Sequence, residues 1–131
     1  MTINDIVERY PTDIREHAER VADLVKPFGE DYVITALLHD IIEDTNTEID
    51  ELINSNSLHI EFDIVDSIFV LTRFSTETYF EYIDRIISKG NKRAKIVKYY
   101  DILDHLHNKA TLKPSLKKRY LKAKEILEKY I

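Results

Sequence analysis

Two glycines and three prolines are all that interrupt this chain of 131 residues, and the apolar residues between them recur mostly at spacings of three and four. Hairpins need turn residues at short intervals, so the pattern leaves little room for a sheet. An all-α fold follows. The length suits a single-domain compact helical bundle with a core large enough to fold alone. Apolar residues at 44% and charged ones at 33% fit a globular protein.

One apolar run ends in an unusual way. Ala36-Leu37-Leu38-His39-Asp40-Ile41-Ile42-Glu43-Asp44-Thr45 passes from a buried-looking helix into a His-Asp pair and then a Glu-Asp pair, with no glycine or proline between. Read as one helix, His39 stacks over Glu43 and Asp40 over Asp44. Leu37, Leu38 and Ile41 pull that face away from water. Three carboxylates beside an imidazole at low dielectric repel one another unless a positive group sits among them. A divalent metal ion is the simplest such group, and a solvated acidic helix end is the plainer alternative.

Thr2 to Arg9 reads as a short first helix. Pro11-Thr12-Asp13 starts a second, running to about Lys26 and stopped by Pro27 and Gly29. Its stripe of Ile14, Ala18, Val21, Ala22 and Val25 takes His17 inward with it. For His17 alone, a satisfied core histidine is the commoner explanation. Glu30 and Asp31 open the third helix with the charge that its dipole favours. Thr45 or Thr47 is placed to cap a short helix ending near Ile53, followed by the polar loop Asn54-Ser55-Asn56-Ser57.

Ile60 to Leu71 is apolar almost all round and reads as deeply buried, with enough β-branched residues to leave a strand open. Ser75 or Thr76 starts the next helix, carrying Tyr79, Phe80, Ile83, Ile86 and Ile87 to Gly90. Asn91 caps a long helix through Asn108, with Ala94, Val97, Asp101 and Asp104 or His105 on one face. Lys98 stands three residues before Asp101, either meeting an anion there or forming a plain local pair. Pro114 and Ser115 lead into a last helix with Leu116, Tyr120, Ala123, Leu127 and Ile131 inward.

The net charge of -5 hides an asymmetry. Residues 1–84 hold 20 acidic and 5 basic side chains, and residues 85–131 hold 4 acidic and 14 basic. An acidic part able to hold a cation precedes a basic part able to hold a polyanion. Lys117, Lys118, Lys122 and Lys124 lie mainly off the inward stripe, which suits a solvated face better than a nucleic-acid site. Cysteine is absent, excluding disulfides and thiol chemistry. Neither a signal peptide nor a membrane-length apolar run is visible, so the expected location is the cytoplasm, with no membrane partner. An oligomer stays open.

The ordered set His17, His39-Asp40, Asp101 resembles the metal site of the HD superfamily of phosphohydrolases. His-Asp-x-x-Glu-Asp-Thr at residues 39–45 resembles the hydrolase signature of the RelA/SpoT homologues and their stand-alone small alarmone hydrolases. Leu71-Thr72-Arg73, Glu77-Thr78-Tyr79, Tyr82-Ile83-x-Arg85-Ile86 and Ala94-x-x-Val97-Lys98-x-x-Asp101 agree. The resemblance implies a helical bundle with one divalent ion, usually Mn²⁺, held by His17, His39, Asp40 and Asp101. Imidazole and carboxylate ligands suit such an ion. It also implies that Glu43 and Asp44 orient and activate the attacking water, and that the reaction releases pyrophosphate from the 3′ position of guanosine tetra- or pentaphosphate. Such a substrate needs cations, for which Lys98, Arg73, Arg85 and Arg15 are candidates, with Tyr79 or Tyr82 available to stack on a base. Asp104 and His105 stand where the family usually has a run ending His-Asn, so Asp104 is an alternative last ligand. The family's basic segment before the first histidine is reduced here to Arg9 and Arg15. A phosphatase or phosphodiesterase acting on another nucleotide, and an inactive nucleotide-binding module, remain the other readings.

Overall fold

Some of the helices begin where a side chain or a proline settles an otherwise unpaired backbone N–H, and these starts help to set the architecture. The computed structural model describes residues 1–55, 57–108 and 112–131. Helix α1 (Ile3–Val7) is opened by a reciprocal pair of bonds between Thr2 and Asp5. Helix α2 (Thr12–Val25) runs into a tight turn at Lys26–Phe28. Gly29 follows at φ 124°, a backbone region that side chains rarely enter. Next come α3 (Glu30–Leu38), α4 (Ile41–Asp44), α5 (Ile49–Asn54) and α6 (Phe62–Leu71), then α7 (Tyr79–Lys89), α8 (Lys92–Asn108) and α9 (Pro114–Leu127). No strand occurs among the described residues. The fold is all-α, and the strand left open for residues 60–71 is helix α6.

Asn91 caps α8 as its position suggests, its Oδ1 accepting the Ala94 N–H at 2.9 Å. Two other expectations are corrected. Helix α7 starts after Thr78, not Ser75 or Thr76, because Thr78 has Glu81 three residues on and the two exchange bonds. Ser75 and Thr76 have no acid at that spacing. Neither Thr45 nor Thr47 caps α5, whose first flanking residue is Glu48. Thr45 instead donates to the Ile41 carbonyl and accepts the Thr47 N–H. Asn56, in the polar loop after α5, lies outside the described residues.

Burial follows the helical period more strictly than the apolar count suggests. On α6, Ile64, Val65, Ile68 and Leu71 face inward, whereas Phe62 and Phe69 share the opposite face with Asp66 and are 75% and 46% exposed. Ile131, placed inward by its spacing, lies beyond the end of α9 and is exposed. The apolar core falls into two clusters. One joins the C-terminal half of α2 to α7, α8 and α9, and the other joins α1, α4, α5 and α6 around Ala18 and Leu38. Helices α2 and α3 serve both, and polar side chains are buried between α2, α3 and α8. Among the described residues no helix is long and apolar enough to cross a membrane.

Candidate metal centre

The site begins with a break in a helix. Residues 36–45 do not form the single helix expected: α3 stops at Leu38 and α4 starts at Ile41. His39 Nδ1 lies 2.5 Å from the Ala36 carbonyl, the group that the Asp40 N–H would meet in an unbroken helix. Asp40 takes φ -103° and ψ 4°. The stacking of His39 over Glu43 is thereby replaced by a turn that drives His39 inward, to 2% exposure, and leaves Glu43 and Asp44 exposed.

Four side chains from three places in the sequence meet there. His17 from α2, His39 and Asp40 from the break, and Asp101 from α8 each present one ligand atom, all within 4.8 Å of one another. His17 Nε2 is 2.6 Å and His39 Nε2 3.0 Å from Asp101 Oδ1. Asp40 Oδ2 is 3.1 Å from His39 Nε2 and 4.0 Å from His17 Nε2. Two imidazoles and two carboxylates are a donor set for a divalent first-row ion. Bonds of about 2.1 Å put ligand atoms about 3 to 4.2 Å apart around such an ion, so the separations of 2.6 to 4.0 Å here would need only small shifts to receive one. A carbonyl can only accept, so His39 Nδ1 carries the hydrogen and Nε2 is the nitrogen free to ligate. These four residues could therefore hold a metal ion.

The surroundings hold the carboxylates charged. Burial works against ionised Asp101, but Lys98 Nζ at 2.8 Å and the histidines outweigh it and keep its pKa well below the usual carboxylate range. Burial likewise opposes protonated His39 and His17, yet Asp40 and Asp101 hold the first well above the ordinary histidine value. Asp101 and Asp104 hold the second above it. The Lys98 ammonium is itself buried and is held charged by Asp101.

A cavity of about 500 Å³ opens over this cluster. Glu43, Asp44, Arg73, Tyr79 and Tyr82 line it, as do Lys98 and His105. Glu43 Oε1 accepts the Arg73 N–H at 2.6 Å. Partial desolvation of its carboxyl where it turns into the cavity, with Asp40 nearby, raises the Glu43 pKa to about 7. His105 is stacked between the rings of His17 and Tyr120.

Two candidates for phosphate binding do not reach the cavity. Arg85 bonds Glu77 at 2.7 Å and the Val70 and Thr72 carbonyls at 3.1 and 2.8 Å, so its donors lock the α6–α7 connection. Arg15 lies 3.9 Å from Glu19 on the surface of α2. Asp104 stands behind His17 rather than in the ligand group, with its Oδ2 2.6 Å from His17 Nδ1. Sequence reasoning missed Arg20, which holds Asp104 together with Asn108, although Arg20 lies one helical turn from His17. It also missed Arg119, whose guanidinium sits 4.1 Å from the centre of the Tyr79 ring on the cavity wall. The basic run around Arg119 masked it.

A carboxyl that titrates near 7 when folded and near 4.5 when unfolded binds its proton more tightly in the native state. Stability is therefore lost as pH rises from 4.5 towards 7, and the penalty is complete above that. Glu43→Gln removes it and keeps an acceptor for the Arg73 N–H. Because Glu43 is exposed at the rim, solvent screens the penalty to about 1 kcal/mol. In thermal melts with chelator, the variant is expected to exceed the parent by about 3–5 °C at about pH 8. That gap should close towards pH 4.5.

No family model matches the chain, and no curated protein matches it.

Proposed function

We propose that the protein is a cytoplasmic metal-dependent phosphohydrolase acting on a nucleotide that carries several phosphates. The favoured reaction is release of pyrophosphate from the 3′ position of guanosine tetra- or pentaphosphate, with Mn²⁺ as the ion. One observation carries this reading: His17, His39, Asp40 and Asp101 converge beneath a cavity whose rim bears the acidic pair Glu43 and Asp44.

His17, His39, Asp40 and Asp101 would hold a divalent ion, which would supply Lewis acidity and ease the ionisation of water. Glu43, titrating near 7, is matched to accept a proton at neutral pH. Asp44, next to it on the same rim, helps to orient the water. Lys98 keeps Asp101 charged, while Arg73 and Arg119 offer positive charge to the phosphates. The acidic first part of the chain and the basic last part meet in this cavity.

The test is a pyrophosphate-release assay on purified protein with Mn²⁺ and guanosine tetraphosphate. Turnover that a chelator abolishes is the expected result, and no pyrophosphate release would remove the substrate assignment. A second reading keeps the site and changes the substrate to a nucleotide with fewer phosphates. It is favoured by Arg85 and Arg15 standing away from the cavity, which leaves few cations for four or five phosphates. Assaying a nucleotide panel for released phosphate separates the two, and tight binding without turnover would mark a binding module instead.

A further inference from the structure

A histidine that binds a metal through one nitrogen needs its other nitrogen held, or the ring can turn and the tautomer is left unset. The two candidate ligand histidines here are held differently. His39 uses its own main chain, through the Ala36 carbonyl. His17 uses a side chain from another helix: its Nδ1 lies 2.6 Å from Oδ2 of Asp104 on α8, a carboxylate only 2% exposed. Asp104 is in turn fixed from two sides. Arg20, one turn beyond His17 on α2, donates from Nε to Oδ1 at 2.9 Å and from its terminal nitrogen to Oδ2 at 3.0 Å. Asn108, one turn beyond Asp104 on α8, donates to Oδ1 at 2.7 Å.

The geometry points to Arg20 and Asp104 as a positioning pair that sets the tautomer and aim of His17, so that Nε2 is presented to the ion. This rests on the reading of His17, His39, Asp40 and Asp101 as a metal site. Asp104 serves a ligand and is not one, since both its oxygens are already engaged. An acceptor that is charged and rigid makes the His17 ring a better electron donor at Nε2. The pair also ties α2 to α8 at the point where the first and last ligands of the site must meet. A plain interhelical salt bridge would steady the fold but would not change ion affinity once the fold is intact.

The experiment is calorimetric titration of chelator-stripped protein with Mn²⁺, with melting temperatures of the stripped proteins recorded beside it. The parent chain is read first, and a parent that binds no ion ends the metal-site reading itself. Given binding, Asp104→Asn is expected to raise the Kd about tenfold and Asp104→Ala up to about a hundredfold. The ¹⁵N resonance of His17 Nδ1 in Zn²⁺-loaded protein should lose its strongly bonded N–H signature in Asp104→Ala. Arg20→Met, at a side chain 42% exposed, keeps the fold should the Asp104 variants not fold. It is expected to weaken binding at least about threefold, below the loss from Asp104 itself. A Kd within twofold of the parent in Asp104→Asn, or in Arg20→Met, would overturn the proposal while leaving the metal site standing.

Discussion

Asp101→Ala is expected to melt about 10–20 °C below the parent chain even with chelator present, the equivalent of about 3–5 kcal/mol for a buried charge that loses its partner. Asp101 is 2% exposed and meets His17, His39 and Lys98 within 3.0 Å. Without it, both histidines can shed their protons and become ordinary buried imidazoles. Lys98 sheds its proton at a far greater cost, because its ordinary pKa lies about 4 units above that of histidine. Lys98 is 8% exposed, and besides Asp101 it meets the faces of Tyr82 at 5.0 Å and Tyr79 at 5.8 Å, with Asp40 and Glu43 the other carboxylates whose charge reaches it. Replacing the lysine as well, in Lys98→Met/Asp101→Ala, should therefore recover most of the lost stability and none of the ion binding. Circular dichroism melts of the two variants decide this. A single variant that melts with the parent would mean that Asp101 does not neutralise Lys98.

On the proposed hydrolytic reading, Glu43→Gln is expected to slow turnover by about 10²- to 10⁴-fold, the range for a lost proton acceptor. Mn²⁺ affinity should stay within a few-fold of the parent, because Glu43 is not in the ligand group. The amide oxygen can still accept the Arg73 N–H, so the rim keeps its shape. Steady-state kinetics with guanosine tetraphosphate, paired with metal titration, separate the two effects. Undiminished turnover would remove Glu43 from the chemistry. Set beside the higher melting temperature expected for the same variant above neutral pH, slower turnover would mark a site kept at some cost to stability.

Much of the fold was legible because helical period and the Asn91 cap are local signals. His17, Asp101 and Asp104 could be placed inward from the stripes they share with Ala18 and Val97, and those stripes are buried. The break at His39 was not legible, because it depends on where an imidazole bonds and not on a turn residue. Arg85 was misplaced for a related reason. A guanidinium at helical spacing looks the same whether it faces a cavity or is taken up by Glu77 and two carbonyls. Asp101 and Asp104 sit three residues apart on one face, so spacing alone could not assign their roles. The assignment came from α2, whose His17 turns one nitrogen to each.

The bond from His39 to the carbonyl one turn behind it has a consequence for which ions such a pocket accepts. Swinging that ring would leave a buried main-chain oxygen with only the long 3.5 Å bond from the His39 N–H, so His39 is a wall that moves at a cost. Asp101, clamped by Lys98, is another. Accommodation of a larger or smaller radius then falls to Asp40, whose side chain is 21% exposed and has room to shift. With an ion bound there, discrimination among divalent ions would be concentrated in the reach of one carboxylate.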